Sequence, residues 1–426
     1  MNNLAILGGK PLLKHPLTQY KSIGEEELKA ANSVLESGNL SGFIGAWCDS
    51  FDGGPKVKEF ESAWQDKFKT KYAISVNSNT SGLIAALGAI KTSPGDEIIV
   101  PPMTMSATVI SPLFYGAIPV FVDLEDDYFC LDYKKVELAI TSKTKAIIAV
   151  NLFGHPADLS KLRKLADSRG IYLIEDAAQS PLATENRVFS GTIGHIGVYS
   201  LNYHKHIHTG EGGMCCTNDE DLALRLRAIR NHGENICDPL QINDITNLIG
   251  FNFRMTEISA AIGLEQLKKL DYLVKEREII ATNLSHSLKG MNNLITPITR
   301  KECRHVYYIW GAKFYCEYEN IKNSTIMKAL SCEGLPIVKG YVKPLYLLPV
   351  FQKKVAIGNN GWPFNLSNQS YKKGTCPVAE NLFENTLLTF NICCYALNQS
   401  EQKEVINIFD KVFTNLKYLA DSKSNN

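Results

Sequence analysis

The chain has 426 residues, 45% of them apolar and 21% charged, the balance of a soluble globular protein too long for a single core. Lys and Arg (45) nearly cancel Asp and Glu (44), leaving +1 and no basic excess for a phosphate backbone or an anionic membrane. No stretch reaches membrane-spanning length, the N-terminal MNNLAILGGKPLLK is too weakly apolar for a signal peptide, and the eleven cysteines include no CxxC. The expectation is a cytoplasmic protein whose cysteines behave as small buried hydrophobes, without nucleic-acid, membrane or metal partners.

From about Lys71 the chain alternates β-rich runs with helical patterns. The runs are Tyr72–Val76, Glu97–Pro101, Ile118–Asp123, Ala146–Phe153, Ile171–Ala177, Gly197–Asn202 and Gly213–Thr217. Several are continuously apolar, as strands buried on both faces of a mostly parallel sheet must be. Between them, Leu83, Ala86, Leu87 and Ile90 have the spacing of a helix with one buried face. Asp158–Arg169 reads as a helix capped by Asp158 and stopped by Gly170. Around Glu257–Arg277 the text is continuously helical and predicts a connecting helix. Beyond it, a strand over Tyr307–Cys316 and a helix over Gln402–Leu416 predict a smaller α+β domain, followed by a disordered DSKSNN tail. The division expected is a large domain with an N-terminal arm over 1–275 and a small domain over 276–426. Such an α/β chain binds ligands at the carboxyl ends of its strands.

Asp176 closes the apolar run IYLIED, and Lys205 lies just beyond GVYSLN and ahead of the run Gly210-Glu211-Gly212-Gly213. A lone loop lysine is most often just exposed. What singles out Lys205 is its company: Asp176, Gln179, Ser200 and the glycine turn. Together these suit a cofactor that needs an amine to form an imine and a carboxylate to hold a pyridinium proton. Ser200 is a candidate phosphate donor. Asn77-Ser78-Asn79-Thr80-Ser81-Gly82 stands between a strand and a helix, where free N–H groups favour an anion or are met by an ordinary cap. His204, His206 and His208 alternate around the lysine, but alternation does not converge three ligands, so local hydrogen bonds or contacts at a pocket mouth are expected rather than a metal. Glu211 either fixes the glycine turn or serves the substrate. No GxGxxG follows a strand and opens a helix, which counts against a dinucleotide oxidoreductase.

The segments IGEEELKAANSVLESGNLSGF, GGPKVKEFE, NSNTSGLIAAL, GDEIIVPPMTMSAT, GAIPVFVDLE, NLFGHPADL, IEDAAQS, SLNYHKHIHTGEGGM, RNHGE, GFNFRMTEISAAIGL and CPVAENL come in this order almost end to end. In these the chain resembles the DegT–StrS sugar aminotransferases of fold-type I, whose cofactor is pyridoxal 5'-phosphate. The resemblance implies a mostly parallel seven-stranded sheet and a homodimer with shared active sites. Lys205 would carry the cofactor as a Schiff base and shuttle the proton. Asp176 would pair with the pyridine nitrogen, and Gln179 would meet the ring hydroxyl. Thr80, Ser81 and Ser200 would hold the phosphate, with Asn252 reaching over from a partner subunit. Glutamate or glutamine would load the cofactor as pyridoxamine phosphate, and a keto-sugar nucleotide would take the amine. A keto-cyclitol acceptor, a pyridoxamine-dependent sugar dehydratase and a catalytically silent scaffold are the competing readings. The dehydratase is disfavoured by Lys205, where such relatives carry histidine, and the scaffold by the intact lysine, aspartate and phosphate residues. Three departures stand out, all expected near the pocket: Met105 where an aromatic would cover the ring, Ser180-Pro181 in place of a histidine, and His195 in place of an aspartate.

Overall fold

In the computed structural model, which describes residues 4–315, 321–339 and 341–424, seven apolar runs pair into one sheet. They are β1 (Tyr72–Val76), β2 (Glu97–Val100), β3 (Ile118–Phe121), β4 (Thr144–Val150), β5 (Tyr172–Asp176), β6 (Ile196–Ser200) and β7 (Gly213–Thr217). Their order in space is β1-β7-β6-β5-β4-β2-β3. From β6 to β3 every pair is parallel, while β7 runs antiparallel to both neighbours. The seven expected runs are thus the seven strands. The fourth begins earlier than expected and stops at Val150, because the chain then turns through Leu152–Gly154 with Phe153 at φ 59°.

Six helices of this half matter for the site: α1 (Glu25–Ser37), α2 (Pro55–Phe68), α3 (Asn79–Ala89), α4 (Leu159–Arg169), α5 (Glu220–Arg230) and α6 (Glu257–Leu288). One buried face was expected for α3, yet it is buried all round from Ser81 to Ala89. The reason is that it lies between the sheet on one side and α5 and the turn Ser111–Tyr115 on the other. Small residues permit this closeness: a Cβ on Gly82 would come within 2.5 Å of Val198 Cγ1. Gly170 ends α4 at φ 63° as read, but the Asp158 carboxylate does not cap the helix. It pairs instead with Lys161 at 2.7 Å and Arg300 at 3.5 Å.

The connecting helix α6 is longer than expected, 32 residues. Leu264, Leu267, Leu270 and Leu273 pack with Phe60 and Trp64 of α2, whereas Ile280, Leu284 and Leu288 enter a second cluster. That cluster lies under a second, antiparallel sheet of β8 (Leu294–Ile295), β9 (Trp310–Phe314), β10 (Val338–Lys339) and β11 (Leu387–Phe390), in the order β8-β9-β11-β10. Leu4, Leu13 and Leu17 of the N-terminal arm also join it. The strand expected over Tyr307–Cys316 is confined to β9, since Tyr307 has φ 51°; Cys316 lies outside the described residues. The last expected helix starts earlier, at Gln399, on a capping box of Asn398 and Glu401, and ends at Thr414. A further helix runs to Ser424, so the tail expected to be disordered is helical that far; Asn425 and Asn426 lie outside the described residues. Among the described residues no helix is long and apolar enough to cross a membrane.

Candidate active site

Because β1, β2, β4, β5 and β6 all point the same way, their carboxyl ends and the start of β7 meet along one edge of the sheet. A cavity of about 210 Å³ opens there. Asp176, the last residue of β5, is buried in its floor. Its Oδ2 accepts from Thr108 Oγ1 at 2.7 Å, and its Oδ1 accepts from Ala178 N at 3.2 Å and from Asn79 Nδ2 at 3.4 Å. Burial pushes this carboxyl above its ordinary pKa, while the Thr108 hydrogen bond is the largest influence favouring the charged form.

Lys205 sits in the turn after β6, its N–H donating to Asn202 O at 2.9 Å. Only 9% of the residue is exposed. Burial pulls the ammonium pKa down to about 8, against the opposing pull of the Asp176 charge. A lysine so tuned has an appreciable neutral fraction near physiological pH, which imine formation requires. Nζ stands 4.4 Å from the centroid of the Tyr308 ring.

Across the cavity, the β1–α3 loop presents Ser78, Asn79 and Thr80. Ser78 caps α3, its Oγ accepting from Ser81 N at 3.1 Å. Ser81 Oγ donates to Asn77 Oδ1 at 2.6 Å, so this hydroxyl braces the loop from behind and does not line the cavity. The loop lies directly on β7: a Cβ on Gly213 would approach Ser78 C to 2.8 Å and Asn79 N to 2.9 Å. Ser200 lines the cavity, and beyond it Asn202 Nδ2 donates to Glu211 Oε1 at 2.8 Å. Glu211 thereby holds the turn and also borders the cavity. Gln179 is fixed at both ends of its amide, accepting from Phe153 N at 2.7 Å and donating to Tyr341 Oη at 2.8 Å.

Of the residues singled out in the sequence, Thr80, Met105, Asp176, Gln179, Ser200 and Lys205 line this one cavity. Asn252 does not: its Oδ1 accepts from Arg254 Nε at 2.8 Å, and its carbonyl accepts from Asn77 Nδ2 behind the loop. Met105, 62% exposed, stands at the mouth. Neither of the other two departures lines the cavity, and His195 is far from it. Ser180 is buried, donating to Ala177 O and meeting Ser190. His195 precedes β6 and so lies at the opposite edge of the sheet, where Nδ1 accepts from Leu173 N at 2.9 Å and Nε2 lies 3.2 Å from Asp167. The three histidines around Lys205 diverge. His204 borders the cavity, with burial pushing its pKa to about 4; His206 is buried with Nε2 2.9 Å from Val306 O; His208 Nδ1 accepts from Gly210 N. Among the described residues no group of three His, Cys, Asp or Glu side chains is placed to hold a metal.

Thr108, Tyr308 and Tyr341 belong to the site and were not singled out. Thr108 ends a segment that was noted as a whole, but the two tyrosines come from the far part of the chain and carry no local signal. A larger groove, about 310 Å³, lies at the opposite edge beside Lys91, Arg225 and Asp244. It has no buried nucleophile facing a buried acid, so the chemistry belongs to the smaller cavity.

The model of the DegT/DnrJ/EryC1/StrS aminotransferase family matches residues 21–409. The chain belongs to that family. The GDP-perosamine synthase of Caulobacter vibrioides is 36% identical over 301 residues, covering 70% of this chain and 79% of its own. The L-glutamine:2-deoxy-scyllo-inosose aminotransferase of Streptomyces kanamyceticus is 29% identical over 98% of this chain and 99% of its own. Among solved structures, S. venezuelae DesV in complex with a ketimine intermediate superposes with a TM-score of 0.76 at 28% identity, covering 91% of this chain and 94% of that one. This DegT/StrS family member is a fold-type I, pyridoxal-phosphate-dependent aminotransferase. Its residues fit the cofactor: a buried carboxylate and a buried amine of lowered pKa face one cavity whose far wall is a helix N-terminus.

Proposed function

We propose that this aminotransferase moves an amino group from glutamate or glutamine to a keto group of a nucleotide-linked sugar. The observation that carries the reading is the buried pair of Lys205 and Asp176 on a single cavity. When bound, pyridoxal phosphate supplies an electron sink for the carbanion left as a proton is removed from the substrate. Asp176, whose charged form the Thr108 hydrogen bond favours, would keep a proton on the cofactor's pyridine nitrogen. With the cofactor bound, Lys205 would hold it covalently at rest and, as a free amine, would carry the proton between substrate and cofactor. Gln179, its amide already clamped, would orient the ring hydroxyl. Thr80, Ser200 and the N–H groups opening α3 would hold the phosphate, with Ser81 stiffening their loop from behind. Met105, at the mouth, would pack on the cofactor ring.

Asn252 completes the phosphate site of a second copy of the chain, so the working unit is a homodimer with shared active sites. Asn252 is exposed and does not line the cavity of its own chain, which supports that reading. The functional division is at residue 275, within α6, whose two halves pack in different clusters; the N-terminal arm rides on the small domain through Leu4, Leu13 and Leu17. Ten unpaired cysteines among the described residues support a reducing, cytoplasmic setting.

The perosamine synthase relative supports a sugar nucleotide as acceptor. A keto-cyclitol is the second reading, supported by the inosose aminotransferase that matches over nearly the full chain. The test is amine formation, followed by mass spectrometry, from a panel of nucleotide-linked keto-sugars and 2-deoxy-scyllo-inosose with glutamate and glutamine as donors. Amination of a sugar nucleotide is the expected result. Amination of the cyclitol alone overturns the first reading in favour of the second, and amination of neither overturns both.

A further inference from the structure

Tyr308 lies just ahead of β9, 4% exposed, and its ring forms a wall of the cavity. Lys205 Nζ stands 4.4 Å from the centroid of that ring, inside the roughly 6 Å over which a cation is drawn to an aromatic face. Among the described residues Nζ has no hydrogen-bond acceptor and no carboxylate within ion-pair distance. Asp176 influences it from the end of β5, but both carboxylate oxygens are engaged by Thr108, Ala178 and Asn79.

Glu211 borders the same cavity, but its Oε1 is held by Asn202 and it forms no ion pair with Nζ. The remaining titratable groups around the amine carry no charge. His204 and His206 flank it on its own turn, and burial holds both neutral. Cys393 and Cys394 face it from the segment after β11, and burial pushes both thiols up, so they are uncharged. Tyr341 and Tyr203 neighbour Tyr308 itself; the Tyr341 phenol is pushed up to about 12 and is likewise neutral. The Tyr308 ring is steadied by the His204 and His206 rings, at 6.1 Å and 6.3 Å between centroids.

We propose that the ring face of Tyr308 is a positioning platform for the free ammonium of Lys205. It keeps the proton on Nζ and the amine in the cavity while the lysine is not bonded to the cofactor. A transaminase lysine is released in each half-reaction and must return, so a partner that attracts the cation without forming a salt bridge holds it loosely enough to leave. The inference rests on the reading of Lys205 as the reactive amine.

The test is competitive labelling of the cofactor-free, full-length protein with acetic anhydride across roughly pH 6–10. Mass spectrometry of the Lys205 peptide then gives the titration midpoint of this one amine, independently of turnover. Native protein and Tyr308→Phe are expected to share a midpoint near 8. Tyr308→Leu should titrate about one pH unit lower, the tenfold scale of a desolvated cation on a ring. Because leucine leaves space in a buried site, phenylalanines of increasing ring fluorination at position 308 serve as near-isosteric variants, and their midpoints should fall stepwise. Unchanged midpoints in the leucine and fluorinated proteins overturn the proposal, as does a Phe variant that falls as far as Leu, which would assign the effect to the hydroxyl. Loss of the Lys205 reading itself would register elsewhere, as a cofactor band that survives Lys205→Ala.

Discussion

Replacing Thr108 by Val removes one hydroxyl from the floor of the site and little else. Thr108 is fully buried, and its Oγ1 makes the shortest of the three hydrogen bonds to the Asp176 carboxylate, 2.7 Å against 3.2 Å and 3.4 Å. A hydrogen bond to a charged group contributes roughly 1.5–3 kcal/mol. At about 1.4 kcal/mol per pH unit, its loss moves the protonation of Asp176 by about one to two units. The direction follows from the physics: burial already raises this carboxyl, and Thr108 is the main group favouring its charged form, so Val raises it further. Since the charged form is the one that pairs with the pyridine nitrogen, the acid limb of pyridoxal phosphate affinity should move toward neutral pH by that amount. Affinity in the mildly alkaline range should stay close to native. Dissociation constants from absorption titrations at a series of pH values measure the limb, with Thr108→Ser as the control that keeps the donor and the native profile. Superimposable limbs for native and Val proteins would refute the reasoning.

Two further changes probe the loop and the domain contact. Gly213→Ala places a methyl group about 3 Å from backbone atoms of Ser78 and Asn79, which cannot yield as a flexible side chain would; cofactor affinity should weaken about tenfold or more. Native affinity by the same titration would show that the loop need not lie on β7. His155 is buried, with Nδ1 2.7 Å from Pro156 O and Nε2 accepting from Arg300 N at 3.0 Å, and burial pushes its pKa from 6.5 to about 4. The unfolded chain therefore takes up a proton below about pH 6.5 that the folded protein refuses. Stability is full above that pH and falls as pH drops toward 4, by up to about 3 kcal/mol from this residue. His155→Gln, which can keep both hydrogen bonds without titrating, should make the fall in Tm between pH 7 and pH 5 shallower; an equally steep fall would contradict the assignment.

Local chemistry made much of this molecule legible. Strands buried on both faces must be apolar throughout, so β1 to β7 announce themselves, and Asp176 and Lys205 are conspicuous as polar residues at the ends of such runs. Packing between distant segments is what stayed hidden. Leu83, Ala86, Leu87 and Ile90 suggest one buried face, and only the three-dimensional arrangement reveals that α3 is enclosed on all sides. Tyr308 and Tyr341 arrive at the cavity from a different part of the chain, with nothing in their neighbourhood to mark them. His195 was misplaced for a simpler reason: a residue entering a parallel strand lies at the amino edge, away from the carboxyl edge where the chemistry is. Asp158 looked like a cap, yet Arg300, far along the chain, is one of its partners.

The central claim is that Lys205 holds pyridoxal phosphate covalently and that glutamate supplies the amino group the cofactor takes up. The most direct measurement is the visible absorption of the protein purified with the cofactor, before and after glutamate, beside Lys205→Ala. A band from the lysine-bound cofactor that bleaches with glutamate and is missing in the variant is the predicted result. A native protein that shows no such band in excess cofactor, or a variant that keeps it, would contradict the account.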